Sequence, residues 1–234
     1  MPLARRFAVY FAPEQDSSLD RFGRGWLGRE PRQPLLSLPA PLSGLDPVRR
    51  QELLFEPRHY GFHATLKPPM RLAPGLSRDR LAAAVAGLAG DRRPFVAPPL
   101  RLAELDGFLA LRPVQAVPAL DRLAEDCLRR FEPFRAPISP DERAKRLRRP
   151  LTERQHVLLD QWGYPYVLDQ YRFHMTLTGR IDQPEERRRV FELLRPLVAE
   201  VERESLAVSS VCLFEQSAPG QPFVLAERFP FAAE

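Results

Sequence analysis

The sequence predicts an α+β protein whose two halves share one element order. Three observations carry this. Two stretches echo each other, Gly61-Phe62-His63-Ala64-Thr65-Leu66-Lys67 and Arg172-Phe173-His174-Met175-Thr176-Leu177-Thr178, each reading aromatic, His, apolar, Thr, Leu. Strict alternation signals a strand, because side chains leave a strand on opposite faces in turn. Amphipathic helical stretches follow both motifs, over 77–90 and 184–203. Asp106-Gly107 and Ala218-Pro219-Gly220 each separate two alternating runs, as hairpin turns do. Each half then reads strand, helix, strand, strand, and 234 residues suit one large domain or two small lobes sharing a core.

Arg6 to Ala12 reads as a first strand closed by Pro13, with Phe7, Val9 and Phe11 on the core face. Tyr10 is on the other face, either looking into the groove used by the histidines or satisfied by a neighbour on a half-buried strand. Ser17 to Gly28 is a helix with a serine or aspartate cap. Residues 29–47 interleave proline and leucine and predict an ordered surface loop, and Asp46 to Leu54 gives one or two helical turns. Pro57 to Tyr60 leads into the first motif strand, and Pro68-Pro69 is expected to end that strand abruptly.

Ser77 caps the next helix, which Gly90 ends, with Leu81, Val85 and Leu88 on one stripe. Strands follow over 98–105 and 107–112, then a helix over 117–131. Thr152 to Trp162 is helical, the second motif runs from Tyr171 to Arg180, and closing strands span 205–215 and 221–229. Outside the His-x-Thr-Leu cores the two halves show no sequence repeat.

The alternation sets Phe62, Ala64 and Leu66 against His63, Thr65 and Lys67. In the second motif it sets Phe173, Met175 and Leu177 against Arg172, His174, Thr176, Thr178 and Arg180. A polar face of His, Thr and cations, used twice, suits a phosphate held between two imidazoles. Hydrolysis of a phosphate ester needs a base for water, an acid for the departing oxygen and donors for the phosphoryl oxygens. Imidazole titrates near 6.5, so His63 and His174 can share the first two tasks in either order, while Thr65 and Thr176 donate to non-bridging oxygens. Lys67, Arg172, Thr178 and Arg180 extend these faces toward a second anionic group, with Tyr10 as a further substrate contact. His59 and His156 lack the pattern and read as structural or surface groups. The scheme requires no metal, no carboxylate cluster adjoins the motifs, and Cys127 and Cys212 form no Cys-x-x-Cys pair. No cofactor is expected.

On these residues the chain resembles the two-histidine (2H) phosphoesterase superfamily, LigT-like cyclic phosphodiesterases, from about residue 5 to about 230. The opening Arg6-Phe7-Ala8-Val9-Tyr10-Phe11-Ala12-Pro13 and the flanked motifs are closest to a bacterial branch associated with phosphonate metabolism. The resemblance implies one bilobal domain over 1–234, each lobe an antiparallel sheet with helices outside, related by a pseudo-twofold about a cleft. It implies a metal-independent cyclic phosphodiesterase and, through the phosphonate branch, 5-phosphoribosyl 1,2-cyclic phosphate as substrate. Compact members need no long arm between lobes. The segment of about 135–165, with Arg135, Arg143, Lys145, Arg146, Arg148 and Arg149, therefore reads as a basic helical insertion, either a lid over an anionic substrate or a solvated face.

A net charge of +5, almost all of it from arginine, favours anionic partners, although a high-GC composition also enriches arginine. The expected partner is a small phosphorylated sugar or nucleotide. RNA with a 2′,3′-cyclic end is the alternative, weakened because Arg135–Arg149 contains no aromatic residue to stack on bases. A non-catalytic module sensing a phosphorylated ligand is the third reading. No stretch reaches the roughly 18–20 apolar residues of a membrane span, and Met1–Tyr10 carries no long apolar run, so a cytoplasmic setting without membrane contact is expected. Oligomeric state is not legible.

Overall fold

The computed structural model describes residues 5–33 and 41–232. Part of the proline-leucine loop expected over 29–47, and the first four residues of the N-terminal segment, lie outside the described residues.

The chain begins with β1 (Arg6–Phe11) and α1 (Ser18–Leu27), whose Ser17 side chain caps Asp20 N and whose Gly28 ends it in the left-handed region at φ 59°. Next comes α2 (Pro47–Tyr60), 14 residues long, well past the one or two turns expected. Pro57 sits inside it and removes one backbone donor. The acceptor so released, the Leu53 carbonyl, takes the Gly179 N–H at 2.6 Å instead. The helix therefore continues through its proline because the segment after the second motif supplies the missing bond.

β2 (Ala64–Met70) also outruns its prediction, continuing through Pro68-Pro69. β1 is its one strand partner, so it is an edge strand, and Lys67 and Met70 pair with Val9 and Phe7. The two prolines thus bulge opposite Ala8 alone, where they owe the ladder few donors. After α3 (Arg78–Gly90) come β3 (Phe95–Ala97), β4 (Leu100–Leu105), β5 (Phe108–Pro113) and α4 (Pro118–Phe131). The insertion forms α5 (Pro140–Arg146) and α6 (Glu153–Trp162), both with complete capping boxes. Of the second motif, β6 is Met175–Thr176 alone. Then follow α7 (Pro184–Val198), shorter than the 184–203 expected and succeeded by a 3-10 turn, and β7 (Leu206–Val208), β8 (Ser210–Gln216) and β9 (Val224–Pro230).

The class is α+β with antiparallel pairing, and the halves interleave. One sheet has the order β2-β1-β8-β9, joining the first motif strand to the hairpin of the second half. The other is β4-β5-β6, joining the second motif strand to the hairpin of the first half, and β3 pairs with β7. Each sheet sends one face into a common core: Phe7, Val9, Phe11 and Leu213 from the first, Leu100, Leu102, Leu109, Leu111 and Met175 from the second. The Trp26 indole pins the second motif into that core by donating to the Leu177 carbonyl at 2.7 Å. Behind β1, Ala8, Tyr10, Ala12, Cys212, Phe214, Phe223 and Leu225 bury a separate cluster. The insertion packs on α4 through Leu128, Leu158, Trp162 and Val167.

Candidate active site

α2 delivers the first histidine. It ends at Gly61, whose φ of 84° and ψ of 176° is a backbone state open to glycine, and the chain turns there into β2. His63 stands immediately before β2. Its Nδ1 lies 2.9 Å from the Gly61 carbonyl, an acceptor, so Nδ1 carries the hydrogen and Nε2 is left with its lone pair. Nε2 is 3.3 Å from the Thr65 hydroxyl. The ring stacks on Tyr10 at 3.8 Å and 25°, a contact worth about 0.5–1.5 kcal/mol beyond area burial. Burial, helped by the nearby His174 and Arg29, pushes the imidazole down to about 4, with the Gly61 carbonyl pulling the other way. The side chain is half-buried.

The second histidine repeats the device. His174 Nδ1 lies 2.7 Å from the Arg172 carbonyl, again two residues back, and fixes the same tautomer. Met175 and Thr176 pair with Leu111 and Ala110 of β5, and the Phe108 ring lies 5.7 Å from the imidazole. Burial lowers the His174 pKa, as do the cations Arg112 and Arg172, while the Arg172 carbonyl and Asp106 oppose them. The two imidazoles come from different sheets, and His174 is near enough to disfavour a proton on His63.

The structure therefore sets His63 beside Thr65 and against Tyr10 of β1, and places His174 immediately ahead of β6, which carries Thr176. Tyr10 is buried behind the His63 ring, its phenol held neutral by burial, so it meets the imidazole rather than open solvent. Arg172 is exposed beside His174, 3.8 Å from the Asp106 carboxylate.

Three expected contacts are placed elsewhere. Lys67 does not extend the His63 face. Thr65 pairs with Tyr10 and Lys67 with Val9, a register irregularity that carries Lys67 to the core side of the sheet. There its buried ammonium donates to the Leu128 carbonyl at 3.0 Å and pairs with Glu132 at 2.5 Å. Thr178 is buried, its hydroxyl accepting from Leu109 N at 3.0 Å, because the strand ends at Thr176 and the alternation ends with it. Arg180 clasps the Asp106-Gly107 turn through the Asp106 carbonyl at 2.9 Å and binds Asp182 at 2.6 Å.

Two arginines outside the motifs stand on neighbouring strands, and Arg112 is near enough to His174 to lower its pKa. Arg101 and Arg112 lie directly opposite each other on β4 and β5, and Ala103 and Ala110 form the next opposed pair along. Asp106 and Gly107 both have positive φ, 48° and 90°, the signature of a two-residue type I′ turn. That turn fixes the register, so the juxtaposition was legible from Asp106-Gly107. In the insertion, Arg135 is engaged by Glu132 and Arg143 by Asp160, whereas Arg146 lies over the Tyr164 ring at 4.6 Å. Arg146, Tyr164 and Tyr60 are all near enough to Tyr10 to act on its phenol.

Among the described residues no group of three or more His, Cys, Asp or Glu is placed to hold a metal ion. Cys127 and Cys212 are buried thiols, pushed up to about 12 and about 11 by desolvation. No described helix is long and apolar enough to cross a membrane.

A family described as a protein of unknown function (DUF1045) matches residues 65–224. The chain is 34% identical over 233 residues to a protein of Janthinobacterium sp. (strain Marseille) named ribose 1,5-bisphosphate phosphokinase PhnN, covering 98% of this chain and 51% of the relative. A protein of the same name from Laribacter hongkongensis (strain HLHK9) is 37% identical over 182 residues, covering 76% of this chain and 41% of the relative. The chain thus spans about half the length of the curated relatives it matches, or less. Among solved structures, E. coli LigT complexed with 3′-AMP aligns over 98% of this chain and 99% of its own at a TM-score of 0.42 and 12% identity. A structure titled as a phosphoesterase aligns over the whole of both chains at 0.39 and 14%.

Proposed function

We propose that this chain, which belongs to the DUF1045 family, is a metal-independent phosphodiesterase that opens a small cyclic phosphate. One observation carries the reading: two imidazoles from different sheets, each with Nδ1 tied to the carbonyl two residues back, which leaves Nε2 as the lone-pair nitrogen, met at His63 by the Thr65 hydroxyl. A single histidine so held is an ordinary structural feature. Two held alike, each followed two residues on by a threonine, suit acid–base work at one phosphorus.

In the proposed reaction His63, pushed down to about 4 and so neutral near pH 7, is the base. Its Nε2 takes a proton from water as the water oxygen bonds to phosphorus. The phosphorus–oxygen bond to one ring ester oxygen breaks, and His174 Nε2, protonated, delivers its proton to that oxygen. The product is a phosphate monoester beside a free hydroxyl, and one transfer between the rings or with solvent restores the starting state. Thr65 and Thr176 donate to the non-bridging oxygens. A bound phosphate raises the proton affinity of His174, reversing the depression that Arg112 and Arg172 cause in the empty site.

The substrate class proposed is a ribosyl cyclic phosphate bearing a further phosphate, such as 5-phosphoribosyl 1,2-cyclic phosphate, in phosphonate metabolism. The relatives are named for a ribose that carries two phosphates. Their kinase name is not carried to this chain. The sequence has no Gly-x-x-x-x-Gly-Lys-Ser/Thr loop, and neither Lys67 nor Lys145 follows a glycine. The insertion is proposed as a lid whose Arg146 and Tyr164 close on the His63 side.

Phosphorus NMR of the EDTA-treated protein with 5-phosphoribosyl 1,2-cyclic phosphate, a nucleoside 2′,3′-cyclic phosphate and an RNA 2′,3′-cyclic end tests this. Ring opening of a small cyclic phosphate, lost in His63→Ala and in His174→Ala, is expected. Turnover of the RNA end alone would replace the substrate class, and no turnover of any of them would sink the catalytic reading.

A further inference from the structure

We propose that Arg101 and Arg112 form a subsite for a second phosphoryl group of the substrate, one that does not react. This rests on the phosphodiesterase reading for the identity of the ligand, though not for the existence of the site.

The argument is one of register. Arg101 opposes Arg112, and Leu111 opposes Met175, so the next step along β5 and the second motif sets Arg112 beside His174. Arg101, Arg112 and His174 thus make one row across three neighbouring segments of chain. The next row on the same face is Ala103, Ala110 and Thr176, and beyond it stand Leu105 and Phe108. The opposite face is apolar at the corresponding positions, Leu102, Leu109, Leu111 and Met175, all in the core. Cations therefore occupy one end of this face and an aromatic ring the other, with Ala103 and the buried Ala110 between them and Thr176 alongside.

Like charges directly opposite each other on a sheet are destabilising. Most arginines of this protein are given a carboxylate: Arg49 pairs with Glu186, Arg92 with Asp126, Arg143 with Asp160, Arg154 with Asp169 and Arg187 with Glu104. Neither Arg101 nor Arg112 has a carboxylate or hydrogen-bond partner among the described residues. Both are half-buried, so water screens them less than it would exposed side chains. Two forked donors, side by side and unpartnered, match an anion with several oxygens, and a phosphate monoester accepts bidentate bonds from both. Neighbouring strands are about 4.8 Å apart, so the pair begins one strand from the imidazole and extends to two. An anion held there is on the same molecule as the reacting phosphorus without being that phosphorus.

The decisive measurement compares kcat/KM for 5-phosphoribosyl 1,2-cyclic phosphate with that for ribosyl 1,2-cyclic phosphate, in wild type, Arg112→Gln and Arg101→Gln. The preference for the doubly phosphorylated substrate is expected to fall at least about tenfold in each variant, mainly through KM, with partial recovery in the lysine variants. Equal loss on both substrates, or none on either, overturns the assignment, as does a loss confined to an RNA 2′,3′-cyclic end. A second arm needs no turnover: ribose 5-phosphate and ribose are titrated by calorimetry into the His63→Ala protein with and without Arg112→Gln. Binding of the phosphate sugar alone, weakened at least about tenfold by Arg112→Gln, supports the subsite even if no cyclic phosphate is hydrolysed. No binding, or binding indifferent to both arginines, removes it.

Discussion

The two motifs have the same sequence pattern and the same tautomer lock, yet the protein surrounds them differently. His63 lies at the mouth of a seven-residue strand, stacked on Tyr10, with Phe214 and Tyr60 at ring distances of 6.3 Å. His174 precedes a two-residue strand and has Phe108 as ring neighbour, with Arg112, Arg172 and Asp106 around it. One imidazole is depressed chiefly by an apolar wall, the other by burial together with charges that a ligand can offset. An apolar wall does not change when an anion arrives, whereas Arg112 and Arg172 can turn toward it. In the proposed reaction the repeat would thus supply a fixed base and an adjustable acid from one sequence pattern.

The most severe way to break this comparison is to remove each ring. His63→Ala and His174→Ala are each expected to lower kcat by about 10²–10⁴, the usual worth of a general acid or base. A variant that retains near-wild-type kcat would show that its motif is structural. The pH profiles then separate the two roles. With His63 at about 4, the acid limb of kcat/KM should fall well below the 6.5 of an ordinary imidazole, because the base stays neutral until then. The basic limb belongs to His174, whose pKa is lowered in the empty site, so kcat should hold to higher pH than kcat/KM once bound phosphate raises it. Coincident limbs in the two profiles would contradict an adjustable acid.

Next in size is the wall itself. Tyr10→Ala should admit water to the His63 ring and move its titration, followed by proton NMR of the ring, upward from about 4 toward 6.5. Tyr10→Phe keeps the stack and should leave the titration nearly in place. The same depression makes a stability prediction. The unfolded chain binds a proton at His63 near 6.5 and the folded chain only near 4. Stability should therefore fall as pH drops through that window and level off near 4. Denaturant titrations of His63→Leu should show a flatter slope there, and an unchanged slope would place the ring in water.

Period-two alternation marked the β2 strand and the β4–β5 hairpin, and the Ser17 and Ser77 caps marked helix starts. What alternation does not encode is where it stops. Continuing the period past the β2 irregularity and the end of β6, where the backbone breaks it, would set Lys67 and Thr178 on the histidine faces. The extra length of α2 was also hidden, since the bond that compensates Pro57 comes from Gly179, more than a hundred residues away. Arg101 and Arg112 were hidden differently. Their opposition follows from a turn that was recognised, but a pair across a hairpin is not seen by examining the neighbours of a histidine.

The smallest effect expected is at Thr178, and it tests whether matching positions on the two motifs do matching work. The equivalent of Thr178 in the first motif is Lys67, and both have left the open face for structural duties. Thr178→Val removes an acceptor from the buried Leu109 N–H while keeping the shape of the side chain. An unsatisfied buried donor costs about 1–3 kcal/mol, which in a chain of this size is a drop in Tm of several degrees. KM for a cyclic phosphate should move less than twofold, because the hydroxyl is held at 3.0 Å by the backbone of β5. A raised KM at unchanged Tm would mean that Thr178 turns outward in the loaded enzyme, and that β6 lengthens when substrate binds.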